Sequence, residues 1–191
     1  YPSLGSIEAE GIVIVLFDYC CPHCRSTHGY LKNAVAKYPD KIGVVLLPMP
    51  LNTKCNSSWK KNQARFAEAC ELAKLALSVW KVAPEHFDTF DQWLFDSPSP
   101  RPFADAVGFS NTILSDQQKS ALTSDNVKKW ADAVIEHDVS LYVDSKAARI
   151  PVLISPNFDA VIGRPGSEEE LMEILEEKLD LQSGDGQTPL N

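Results

Sequence analysis

Two thiols two residues apart, Cys21 and Cys24, with Pro22 and His23 between them, can pass between a dithiol and a disulfide. That interconversion moves two electrons by thiolate attack on sulfur, so no cofactor is expected. A proline directly after Cys21 suits the first turn of a helix, where the amide it lacks would be unpaired anyway. Cys21 then stands at the positive end of the helix dipole, where free amides favour thiolate over thiol. His23 adds positive charge or a hydrogen-bond donor beside the same sulfur and is read as tuning it. The strand-to-helix corner leaves Cys21 the more exposed, which makes it the nucleophile and Cys24 the resolving cysteine. A C-x-x-C pair can instead be half of a structural zinc site. Cys55 and Cys70 are too widely spaced to supply the other half, so redox chemistry is preferred and no metal is assigned.

The elements that must position this motif lie on either side of it. Ile12-Val13-Ile14-Val15-Leu16-Phe17 is a continuous apolar run, rich in β-branched residues, that reads as a strand buried on both faces. Leu31, Ala34, Val35 and Tyr38 recur at helical spacing after the motif, placing a helix over 22–38. Ile42 to Leu47 is a second buried strand, so the three elements form a βαβ unit with a parallel pair. A short edge strand is expected ahead of them, around Ser6-Ile7. From Pro48 to Ala148 no strand-like run appears. Phe66, Cys70, Ala73, Leu77 and Trp80 mark an amphipathic helix over 58–82, and Pro84 opens another with Phe87, Phe90, Trp93 and Leu94 on its apolar side. Three prolines between 97 and 102 require a loop. Shorter helices are expected at 103–109 and 115–122, then a longer one through Val127, Trp130 and Val134, capped by Ser124 or Asp125. Val152-Leu153-Ile154 and Ala160-Val161-Ile162 form a closing hairpin, and Ser167 with Glu170 makes a capping box for the last helix.

Composition narrows the partners. Apolar residues at 44% and charged residues at 23% are ordinary globular values, and 191 residues can bury a sizeable core. A net charge of -8 argues against nucleic acid as a partner. No apolar stretch reaches the length of a membrane span, and a start at Tyr1 suggests a processed or excised fragment.

Phe17-Asp18-Tyr19-Cys20-Cys21-Pro22-His23-Cys24-Arg25 resembles the active-site stretch of DsbA-type thiol oxidoreductases of the thioredoxin superfamily. It is most similar to bacterial DsbA-like domains reading Asp-Tyr-Thr-Cys-Pro-His-Cys-Arg, some of them attached to membrane segments or vitamin K epoxide reductase-like partners. Cys20 departs from that pattern by replacing Thr. The resemblance implies an α/β, thioredoxin fold with an inserted helical subdomain. Residues 1–50 and 149–182 would form the thioredoxin frame, 51–148 the insertion and 183–191 a flexible tail. It also implies a thiol:disulfide oxidoreductase that introduces disulfides into reduced exported polypeptides. The location would be periplasmic or otherwise extracytoplasmic, with a membrane anchor compatible in a longer protein and a membrane redox partner of quinone- or vitamin K epoxide reductase-like type. An isomerase or reductase would use the same cysteines. Isomerases of the superfamily usually carry a dimerisation domain, for which the ten residues before the first strand leave no room. A Cys/His metal module of Cys20, Cys21, Cys24 and His28 is the rival from another class.

Ile150-Pro151 resembles the cis-proline step of that superfamily, which faces the cysteines and offers its backbone to an extended substrate. An ordinary trans proline at a strand start is the alternative. Cys55 and Cys70 read as a structural disulfide in an oxidising compartment, the alternative being two buried thiols. Cys20 is read as a buried small residue. Asp18 is a weaker candidate for relaying a proton from Cys24. His28 is read as a helix-surface residue.

Overall fold

The computed structural model describes residues 1–181. Residue 182 and the tail at 183–191 lie outside the described residues. The described chain forms a five-stranded sheet in the order β1-β3-β2-β4-β5 and seven α-helices. At its centre β2 (Gly11–Phe17) runs parallel to β3 (Ile42–Pro48), Val13 opposite Val44 and Phe17 opposite Pro48. The crossover between them is α1 (Pro22–Lys37). Both strands are buried almost end to end, as their unbroken apolar runs require.

The edge strand β1 is Ser3–Leu4, antiparallel to β3, and not Ser6-Ile7. Leu4 enters the core, whereas Gly5 takes a left-handed φ of 70° and turns the chain away, leaving Ile7 exposed. The Ser6 carbonyl then passes so close over Gly43 that any β-carbon there would collide with it.

All five helices of the insertion lie between β3 and β4 in the chain. Its hub is α2 (Ala69–Val82), which packs against α3 (Pro84–Phe95), α4 (Phe103–Ile113), α5 (Asp116–Leu122) and α6 (Asp125–Asp144). The helix expected from residue 58 begins only at Ala69. Ahead of it the chain is irregular except for one 3-10 turn at Ala64–Phe66. Asn52 Nδ2 donates to the Phe66 and Ala67 carbonyls at 2.8 and 3.1 Å, and a Cys55–Cys70 disulfide ties the same segment to the start of α2. These side-chain links hold the backbone in a loop path despite the apolar spacing of the helix that follows. Pro84 opens α3, and Ser124 caps α6 by accepting from the Val127 amide.

The frame closes with the hairpin β4 (Val152–Ser155) and β5 (Phe158–Ile162), β4 antiparallel to β2. The last helix, α7 (Glu168–Lys178), packs beside α1, where Glu176 accepts from Lys37 and Tyr38. Ser167 caps α7 as expected, but the Glu170 carboxylate reaches the Gly166 amide, one residue before the cap. Frame and insertion share one continuous apolar core.

Candidate active site

The corner between β2 and α1 is made by hydrogen bonds that start at Asp18. The Cys21 amide donates to the Asp18 carbonyl at 3.0 Å, and the Asp18 carboxylate accepts from the Cys20 and Leu51 amides, both at 2.6 Å. Cys21 is thereby set in extended geometry as the residue capping α1, with Pro22 in the first turn. Its sulfur does what a serine oxygen does at an ordinary cap and accepts from the Cys24 amide at 3.4 Å. No acidic side chain stands in the first turn of α1, so nothing competes with the sulfur for the positive end of the helix.

The three neighbouring thiols are all buried, at 1% exposure for Cys20, 4% for Cys21 and 1% for Cys24, but they differ in acidity. Donation from the Cys24 thiol holds Cys21 below the ordinary cysteine range; burial opposes this, and the amides of Cys24 and His23 reinforce it. Burial, then the neighbouring Cys21 sulfur, pushes Cys24 well up. Burial, then Asp18, pushes Cys20 up as well. The pair is thus split into one sulfur that ionises readily and one that keeps its proton. His23 contributes through its backbone amide, while its ring is exposed. Burial raises the Asp18 carboxyl to about 6 against the pull of its amide partners.

The strand register carries the second part of the site here. Leu16 pairs with Val152, so Pro151 falls beside the end of β2. The Ile150–Pro151 bond is cis, and the Pro151 carbonyl accepts from the Gly163 amide at 2.7 Å. Ile150 shares with Cys21, Pro22 and His23 an open cleft of about 280 Å³. Leu51, Trp59 and Phe66 give the cleft apolar walls, and Arg65 and Arg149 line it too.

His28 is a correction to the sequence reading. It is 6% exposed and sits 2.6 Å from the Asp91 carboxylate, stacked on Phe95 with ring centroids 4.2 Å apart. The other Asp91 oxygen accepts from the Tyr19 hydroxyl at 2.9 Å. This buried cluster ties the end of β2 and the first turns of α1 to α3 of the insertion. A signal for it existed: Asp91 stands inside the apolar stripe of α3, and His28 falls one turn after Cys24 on the same helix face. Among the described residues no group of three or more His, Cys, Asp or Glu side chains is arranged to hold a metal. No helix among them is long and apolar enough to cross a membrane.

A central β2-α1-β3 unit closed by a ββα element, with a dithiol capping the first helix, defines the thioredoxin class of thiol:disulfide oxidoreductase. The family model described as thioredoxin matches residues 2–145, and the chain belongs to that family. A search of curated proteins finds no match. Among solved structures the chain is similar to a periplasmic thioredoxin-like protein from Salmonella enterica serovar Typhimurium, at 21% identity and a TM-score of 0.72 over 94% of this chain and 90% of that one. It is similar to the thiol-disulfide exchange protein alpha-DsbA2 from Wolbachia pipientis, at 20% identity and a TM-score of 0.70 over 94% and 86% of the two chains. It is also similar to oxidised BdbD from Bacillus subtilis, at 18% identity and a TM-score of 0.67 over 94% and 93%. At these identities the likeness is one of fold.

Proposed function

We propose that the protein is a DsbA-like oxidase that introduces disulfides into exported polypeptides through Cys21 and Cys24. The observation that carries this reading is the place of Cys21 as the cap of α1, its Sγ accepting from the Cys24 amide at 3.4 Å with no acidic side chain in the first turn. This favours thiolate at Cys21, while burial keeps Cys24 a thiol. In the oxidised enzyme a substrate thiolate attacks Cys21 Sγ. The Cys21–Cys24 bond breaks, and Cys24 leaves and takes up a proton, which its buried site strongly favours. A second substrate thiolate then attacks the substrate sulfur of the mixed disulfide. Cys21 departs as the stabilised thiolate, the product carries the new disulfide, and two electrons remain on the enzyme. Stabilising the leaving thiolate stabilises the reduced protein, so the enzyme disulfide is the stronger oxidant.

The cleft beside the Ile150–Pro151 step supports docking of an extended substrate segment against backbone. The periplasmic source of one structural relative and the Cys55–Cys70 disulfide support an extracytoplasmic location. Re-oxidation falls to a membrane partner of quinone- or vitamin K epoxide reductase-like type. The deciding measurement is the reduction potential of the Cys21/Cys24 couple, paired with oxidative refolding of a reduced substrate. A potential well above about -200 mV with catalysed disulfide formation is expected. A potential near about -270 mV would assign the pair to reduction instead.

A further inference from the structure

The charges around the cleft run against those of the whole chain. The protein carries 26 acidic residues against 18 lysines and arginines, yet three segments that converge on Cys21 contain no Asp or Glu at all. From Tyr19 to Pro39 the basic residue near the motif is Arg25; Lys32 and Lys37 lie further along α1 and pair with Asp88 and Glu176. From Leu51 to Ala67 the loop that supplies Trp59 and Phe66 to the cleft holds Lys60, Lys61 and Arg65, besides Lys54, which pairs with Glu71. From Ser145 to Phe158 the approach to the hairpin holds Lys146 and Arg149. Arg65 and Arg149 line the cleft itself, and both are exposed. Arg25, directly after Cys24, is part-buried near Arg65; one of its guanidinium nitrogens donates to the Pro98 carbonyl, and the other two have no partner.

Among the described residues, none that lines the cleft is acidic. Asp18 is buried beneath the motif and engaged by two amides. Glu68 shares a side cavity with Arg65, Arg101 and Cys20, and its carboxylate accepts from the Phe103 amide at the start of α4. The charged residues that line the cleft beside Cys21, Arg65 and Arg149, are both positive. A potential of one sign over a cleft with apolar walls concentrates ligands of the other sign and raises their association rate.

Building on the oxidase reading, we infer that the cleft selects reduced polypeptide segments whose cysteine is flanked by acidic residues, read by Arg149 and Arg65, which line it together with the apolar Leu51, Trp59, Phe66 and Ile150. The neighbouring side chain of the segment packs against these apolar side chains, and its carboxylates face the two guanidinium groups, which suit bidentate pairing. Attack on Cys21 Sγ proceeds as already described; the rim changes which segment arrives.

The test uses the oxidised full chain and two reduced peptides, each with one cysteine beside a leucine, one flanked by Asp and Glu and the other by Lys. The rate of mixed-disulfide formation is followed at low ionic strength. The acidic peptide should react at least about tenfold faster, and most of that advantage should vanish in salt that shortens the screening length. Arg149→Ala and Arg65→Ala should each cut the advantage severalfold, and Arg149→Glu should cut it further, the readout being the ratio of the two peptide rates in each variant, in which any change in the reactivity of the disulfide itself cancels. Equal rates for the two peptides, or an acidic preference that survives both salt and the double Arg65→Ala, Arg149→Ala variant, would overturn the inference and leave the oxidase reading intact. A protein whose disulfide even dithiothreitol cannot reduce would remove the oxidase reading and the inference together.

Discussion

Ionisation of Cys21 depends on donors that can be removed one at a time. The largest contribution is the Cys24 thiol, and the His23 contribution comes from an amide that survives any side-chain replacement other than proline. Cys24→Ala should therefore raise the Cys21 pKa more than His23→Ala does, the latter by less than about one unit, or roughly 1.4 kcal/mol. Thiolate absorbance against pH in the two variants checks the ranking; the opposite order would assign the larger share to the imidazole ring. In the wild type the apparent Cys21 pKa should fall below the free-cysteine value of about 8.5. Cys20, though adjacent, should stay unmodified by alkylating reagents at neutral pH, because burial and Asp18 hold it as a thiol. Reaction at Cys20 before Cys21 would contradict that assignment.

At the scale of elements, the corner is held from two sides. Asp91 is fully buried and serves both His28 and Tyr19, so Asp91→Ala strands two polar groups in the core. Breaking such a pair costs on the order of 3 kcal/mol, and urea denaturation of the variant should show a loss of about that size. Cys55 and Cys70 close a loop of 15 residues. Replacing both by Ser should cost about 3 kcal/mol by loop entropy, with Cys21 remaining reactive in an alkylation assay. The strands of the βαβ unit and the closing hairpin were legible as continuous apolar runs, and the longer helices of the insertion by one dominant helical period. The β1 position and the start of α2 were not, because Gly5 and the Asn52 side chain act through backbone geometry and a contact across 14 residues. His28 was misread for a related reason. Its partner lies 63 residues away, and helical periodicity alone cannot show which polar residue on a buried face has found a partner. The motif itself was readable since its chemistry is local to one strand end and one helical turn.

At the scale of the whole molecule, the buried carboxyls of Asp18 and Asp138 make stability depend on pH in an unusual direction. Burial raises Asp18 to about 6 and Asp138 to about 7, and one Asp138 oxygen has no partner, as suits a protonated carboxyl. Both values lie above the ordinary aspartate value of about 3.9 expected in the unfolded chain. Between the two states' pKa values the folded protein binds more protons than the unfolded one, so stability must fall as pH rises. The contribution of Asp18 is fully present below about pH 4 and is lost by about pH 6; that of Asp138 is lost by about pH 7. Each is bounded by roughly 3–4 kcal/mol if its shift is fully expressed. Cys21 acts in the opposite sense in the reduced protein. Its lowered pKa adds stability above the unfolded thiol value, and that stability is lost as pH falls through the folded value. Oxidation removes the Cys21 term and leaves the two aspartates. In the oxidised protein these two groups should therefore make stability fall between about pH 4 and 7 relative to variants that lack them, Asp138→Asn removing the fall in the upper part of that range and Asp18→Asn in the lower. Urea midpoints of the oxidised wild type and the two variants across that range are the measurement. Slopes unchanged in both variants would show that these carboxyls titrate as ordinary surface acids and that the packing around them is looser than the structure has it.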